Sequence, residues 1–164
     1  MLSSWPSYRK SAILALLIRM NIVTTPVQMY SRTDSNREVK FTFYHAKASG
    51  GPNPGQRVTD VYEVCGQAVK SIRWTLSRTV LVERLLSRSR GREDERLVVG
   101  EREGLKVILE AVQKKKVSYE IVIVQPGISQ ARMTPDNISL PLASADFFIT
   151  ESGNVENLRV LGSA

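Results

Sequence analysis

The segment Phe43-Tyr44-His45-Ala46-Lys47 ends a hydrophobic run and opens onto Ser49-Gly50-Gly51-Pro52-Asn53-Pro54-Gly55. Residues two apart on an extended chain project to the same side, so His45 and Lys47 continue the face that carries Phe41 and Phe43. A polar pair closing an apolar face is costly unless it is partnered or used. It is also the layout that metal-dependent phosphodiester hydrolysis needs. One side chain helps to hold a divalent ion, and a neighbouring lysine positions the attacking water or offsets charge developing on the phosphorane. The glycine-rich loop allows close backbone approach to a ligand. The plainer alternative is a strand end that surfaces here, with His45 and Lys47 simply solvated.

These residues have to be positioned by the elements around them. Val39, Phe41 and Phe43 alternate with Lys40, Thr42 and Tyr44, a period of two that predicts a strand. The Asp34-Ser35-Asn36 cluster predicts a turn before it, with Pro26 to Ser31 as the hairpin partner. A helix is expected from about Asp60, with Glu63 three residues on in a capping-box-like arrangement. Its apolar stripe is Val61, Val64, Cys65, Ala68 and Ile72, and its polar face carries Asp60, Glu63, Gln67 and Lys70. From that face Glu63, Gln67 and Lys70 can reach back over the strand end.

Further along, Thr75 to Ser89 reads as a second helix, Arg96 to Val99 as a short strand and Glu101 to Lys115 as a helix. Tyr119 to Val124 reads as a buried strand stopped by Pro126-Gly127. Gln125 to Ser129 follows that strand at a position where α/β sheets often bind ligands, but without a glycine fingerprint or a phosphate lysine, so a plain turn is the preferred reading. Thr134-Pro135 begins a helix that Pro141 is expected to break or kink. Leu158 to Leu161 forms a last short strand. Strands interleaved with helices predict an α/β fold, a mixed sheet flanked by helices. The 164 residues fit one domain. Residues 31–164 form the α/β unit and 1–30 an atypical amino-terminal segment, expected to be helical across Ser11 to Val23.

Lysine and arginine number 23 against 16 acidic residues, a formal net charge of +7, which favours polyanions. The excess is concentrated between Gly66 and Arg92, where Lys70, Arg73, Arg78, Arg84, Arg88, Arg90 and Arg92 face only Glu83. Trp74 lies inside this run and could stack on a base. Lys70, Arg73, Trp74 and Arg78 are therefore the candidate nucleic-acid contacts, with DNA the favoured partner. The bland alternative is a solvated helix face with one tryptophan turned to the core. Cys65 is the only cysteine, so no internal disulfide can form and a reducing, cytoplasmic setting is expected. Ser11 to Val23 is short for a membrane span and Arg19 interrupts it.

Strand, x-Lys ending, glycine-rich loop and helix with a glutamine together resemble the restriction-endonuclease-like PD-(D/E)xK superfamily. There a carboxylate precedes an (E/D/Q)-x-K strand and a helix often adds a glutamine. More narrowly, FYHAKASGG, VYEVCGQAVKSIRW, YEIVIVQPGIS and the terminal RVLGSA are similar to the C-terminal region of large helicase-containing prokaryotic proteins, some linked to defence against foreign DNA. The similarity runs from about Glu38 to Ala164. It implies a restriction-endonuclease-like core, with His45, Lys47 and Gln67 as catalytic residues, Mg²⁺ or Mn²⁺ as the cofactor of an active enzyme, and a helicase-type protein as a partner. The pattern departs at the preceding strand, where Pro26-Val27-Gln28-Met29-Tyr30 holds no carboxylate. A metal-ligating acid would have to come from Asp34, Glu38 or Glu63. Histidine also replaces the usual acid, a poor ligand for magnesium. The expectation is a nuclease-like, nucleic-acid-binding domain, catalytically weakened or inactive. Its alternative is a non-catalytic interaction module whose arginine-rich helix binds nucleic acid or an acidic protein.

Overall fold

A computed structural model describes residues 15–22, 25–34, 38–47, 57–89, 97–99, 107, 110, 112–129 and 135–162. The strands are β1 (Ala15–Ile22), β2 (Thr25–Asp34), β3 (Glu38–Ala46), β4 (Leu97–Val99), β5 (Lys116–Val124) and β6 (Val155–Leu161). The helices are α1 (Val58–Lys70), α2 (Ile72–Leu76), α3 (Arg78–Ser89) and α4 (Leu140–Ser152), the last preceded by a π-helical turn at Pro135–Ser139. The strands form one sheet in the order β4-β1-β2-β3-β5-β6. β1, β2 and β3 make an antiparallel meander. β3, β5 and β6 run parallel to one another. The molecule is therefore mixed α/β, with three parallel strands and flanking helices.

The parallel strands carry the core. Val39, Phe41 and Phe43 of β3 lie in register with Val117, Tyr119 and Ile121 of β5. Phe41 and Phe43 stack on the Tyr119 ring at centroid distances of 5.8 and 6.4 Å. The predicted stripe of α1 covers this face, with Val61, Val64, Cys65 and Ala68 all buried. Each large apolar side chain removed from water here stabilises the fold by about 1.5–3 kcal/mol. On the other face of the same strands Glu120 collects Thr42, Lys40 and Arg159, at 3.2, 3.2 and 2.9 Å.

Three expectations need correction. The helix expected within Ser11 to Val23, and so within residues 1–30, is replaced by strand from Ala15 to Ile22, followed by β2 from Thr25. Leu16, Ile18, Met20 and Ile22 already alternate with Ala15, Leu17, Arg19 and Asn21 in the sequence, and Ile22 pairs with Thr25 across a two-residue hairpin connection. The helix expected over Thr75 to Ser89 is divided. Ser77 is extended (φ −141°, ψ 107°) and its Oγ accepts the Val80 N–H at 3.4 Å, so α2 ends and α3 begins there. Pro141 does not break its helix. It lies in the first turn of α4, directly after the π-helical turn at Pro135–Ser139 passes into α-helix, so the helical run continues with a change of winding beside the proline.

Val107, Glu110 and residues 112–114 are helical, within the helix expected over Glu101 to Lys115. The glycine-rich loop, the charged turn at Gly91 to Glu95 and residues 1–14 lie outside the described residues. Among the described residues no helix is long and apolar enough to cross a membrane.

Candidate functional site

His45 and Lys47 occupy the carboxyl end of β3 on its helix-covered face, as the alternation predicts. His45 is 1% exposed. Above it, Glu63, Gln67 and Ser71 recur at four-residue intervals along α1 and its C-cap, which lines them up on one side of the helix. Lys47 Nζ lies 2.8 Å from Glu63 Oε2. Gln67 Nε2 donates to Glu63 Oε1 at 3.5 Å. Ser71 Oγ lies 2.7 Å from His45 Nε2 and 3.4 Å from the Gln67 carbonyl. The two strand residues and three helix residues thus form one continuous polar chain that ties α1 to β3.

The electrostatics follow from this geometry. Burial pushes the His45 imidazole down to about 4, so the ring is neutral near pH 7. The hydrogen bond to Glu63 raises the Lys47 ammonium above its ordinary value; burial opposes this, and the charges of Glu63 and Asp60 add to it. Lys47 is thus a cation held by a carboxylate, and His45 a neutral ring held by a hydroxyl. Lys47 is not presented as an open ligand, and His45 and Ser71, although a base beside a hydroxyl, are closed to solvent at 1% exposure each.

The acidic candidates are not brought together. Asp34 and Glu38 face each other across the β2–β3 pair, at the opposite end of β3 from His45. Seven residues at about 3.3 Å each place Glu38 roughly 23 Å from His45 along the strand. Opposite His45 on β2 stands Val27, within the stretch that has no carboxylate. Glu63 does reach the strand end, but Lys47 engages it. Among the described residues no three His, Cys, Asp or Glu side chains gather as a metal site would require. Among the described residues, the acidic candidates therefore do not assemble the Mg²⁺ or Mn²⁺ site that the family resemblance implies.

Comparison with protein-family models, with curated proteins and with solved structures finds no match.

Of the nucleic-acid candidates, Lys70, Arg73 and Arg78 are exposed. Trp74 is not. It is 5% exposed, and the Arg73 guanidinium lies over its ring at 4.2 Å from the centroid. The expectation that Trp74 stacks on a base fails on both counts, because the ring belongs to the core and a cation already covers it. Arg90 and Arg92 lie outside the described residues.

Ser71 escaped the sequence as a participant, and Gln125 as a buried neighbour of the strand end. Ser71 is the buried partner of His45, and its position four after Gln67 and eight after Glu63 was the available signal. Gln125 follows β5 directly and is wholly buried, with neither amide atom hydrogen-bonded. The β3–β5 register, extended one step past Ala46↔Val124, sets it level with Lys47. Nothing in the local sequence separates this glutamine from an exposed turn residue.

Proposed function

We propose that this chain is a non-catalytic nucleic-acid-binding domain, a restriction-endonuclease-like relative whose reaction centre has been converted into a structural tie. One observation carries this. His45 and Lys47 are engaged by Ser71 and Glu63, while Asp34 and Glu38 stand at the far end of the same strand. A two-carboxylate metal site needs those acids beside the lysine. The strand, loop and helix order that motivated the family resemblance is compatible with such an ancestry, and Gln67 does lie beside the Lys47–Glu63 pair.

The binding half of the proposal rests on charge. Lys70, Arg73 and Arg78 are exposed in the segment that holds most of the net positive charge. DNA is the favoured ligand, and a helicase-type protein the favoured partner.

Labelled duplex and single-stranded DNA, incubated with Mg²⁺, with Mn²⁺ and with chelator, should be bound and left intact. If Lys70, Arg73 and Arg78 each neutralise one phosphate, the plot of log affinity against log salt for duplex should slope at about −3. Metal-dependent cleavage that disappears in Lys47→Ala would overturn the proposal, as would the absence of any binding.

A further inference from the structure

α4 carries apolar side chains on both of its faces. Pro141, Leu142, Ala145 and Ile149 are buried against the rest of the molecule. On the opposite side Leu140, Phe147 and Phe148 are 61%, 69% and 50% exposed. Leu140, Ser144, Phe147 and Glu151 follow the three- and four-residue spacing of one helical stripe, and Phe148 flanks it. The stripe is about 16 Å long, at 1.5 Å per residue. A helix that is apolar all round is ordinarily covered all round. Large apolar side chains gathered on one exposed stripe mark an interaction surface.

The charge around the stripe says what covers it. The chain as a whole is +7, yet no lysine or arginine occurs from Pro135 to Leu158. Asp146, Glu151 and Glu156 are exposed in that stretch. Arg159, the next cation, is engaged by Glu120 at 2.9 Å. The last turn of α4 also holds Glu151 and no basic residue, although the helix dipole puts partial negative charge at that end. A cation supplied from outside offsets both. Phosphates are repelled here, so this face suits protein and not nucleic acid. A second copy docked symmetrically would bring the same carboxylates to both sides of the interface. Among the described residues β6 is an edge of the sheet. Its Leu158 N–H already donates to Asp146 Oδ1 at 3.1 Å, which denies that donor to an added strand and favours a helix as the occupant.

We propose that the outer face of α4 is a docking site for a basic amphipathic helix of a partner protein. The apolar side of that helix covers Leu140, Phe147 and Phe148, while its lysines or arginines meet Glu151 and the carboxylates beside it. The site stands apart from nucleic-acid binding, which is assigned to Lys70, Arg73 and Arg78.

The test uses the full chain and a fluorescein-labelled amphipathic peptide of leucine and lysine, ~14 residues long to match α4. Its anisotropy should rise saturably as the protein is added. The same peptide with glutamate at every lysine should not bind. Phe147→Ser and Glu151→Lys should each weaken binding by about tenfold or more, as loss of an aromatic anchor or reversal of its charge partner implies. Both positions are exposed, so circular dichroism should show both variants folded. Absence of saturation, or affinity indifferent to both substitutions, would overturn the site. Equal binding of the glutamate peptide would overturn its basic occupant. Sedimentation equilibrium showing the chain alone to be a dimer that Phe147→Ser dissociates would overturn the proposal too, by giving the face to a second copy.

Discussion

Acidification acts first on His45. Its ring is buried against Ser71 with a pKa of about 4, whereas the unfolded chain titrates near 6.5. Between those values only the unfolded chain takes up the proton. Stability is therefore complete above pH 6.5, falls as the pH drops towards 4, and loses nothing further to this group below that. The full difference is about 3 kcal/mol, at 1.36 kcal/mol per unit, and roughly 2 kcal/mol of it is expected between pH 7 and pH 5. That is a large share of the stability of an ordinary domain. Urea unfolding at the two pH values measures it, with His45→Asn as the reference that removes the titrating group while carboxylates titrate as before. Because the chain has one histidine, its imidazole proton resonance is unambiguous and should stay flat from pH 8 to pH 5. Parallel loss of stability in both proteins, or a resonance that titrates near 6.5, would refute the buried, neutral ring.

Two further expectations follow from the core. Burial pushes the Cys65 thiol up to about 11, so a thiol reagent should label the native chain slowly and label it at the free-cysteine rate only in denaturant; rapid labelling of the native protein would place Cys65 at the surface. Ile121 is fully buried between β3 and β6, and Ile121→Ala should cost roughly 2–5 kcal/mol by equilibrium denaturation. A change under 1 kcal/mol, on the same scale, would mean that Ile121 is not packed into the core.

The sequence showed most clearly those elements whose pattern has one period. β3 and β5 were visible because alternation and a β-branched run leave few alternatives, and α1 because its apolar stripe recurs at three and four. The amino-terminal strands were harder. In Ala15–Ile22 only Arg19 and Asn21 mark the polar side of the period of two, and pairing with β2 decides between helix and strand. The strand-end cluster was half visible: spacing placed His45 and Lys47 together and set Glu63 and Gln67 on the facing helix. What spacing could not supply was the partner of each group. Ser71 binds His45 because the end of α1 passes over β3, a tertiary fact absent from either segment. The distance between Asp34 and Lys47 likewise depends on strand direction, which local sequence does not fix.

The pairing of β3 with β5 has a consequence for how the chain is made. Thr42 meets Glu120 across 78 residues of sequence, and the strands are in register throughout. β1, β2 and β3 can zip together as soon as they leave the ribosome, since each pairs with its neighbour in sequence. The other edge of β3 then waits for β5. At about 5–20 residues per second, that wait lasts roughly 4–16 s. During it, one edge of a strand bearing Val39, Phe41 and Phe43 offers a row of unpaired backbone groups. This is the condition under which nascent strands join the wrong partner. Synthesis of this domain therefore has a defined window of vulnerability, which opens when β3 emerges and closes when β5 docks.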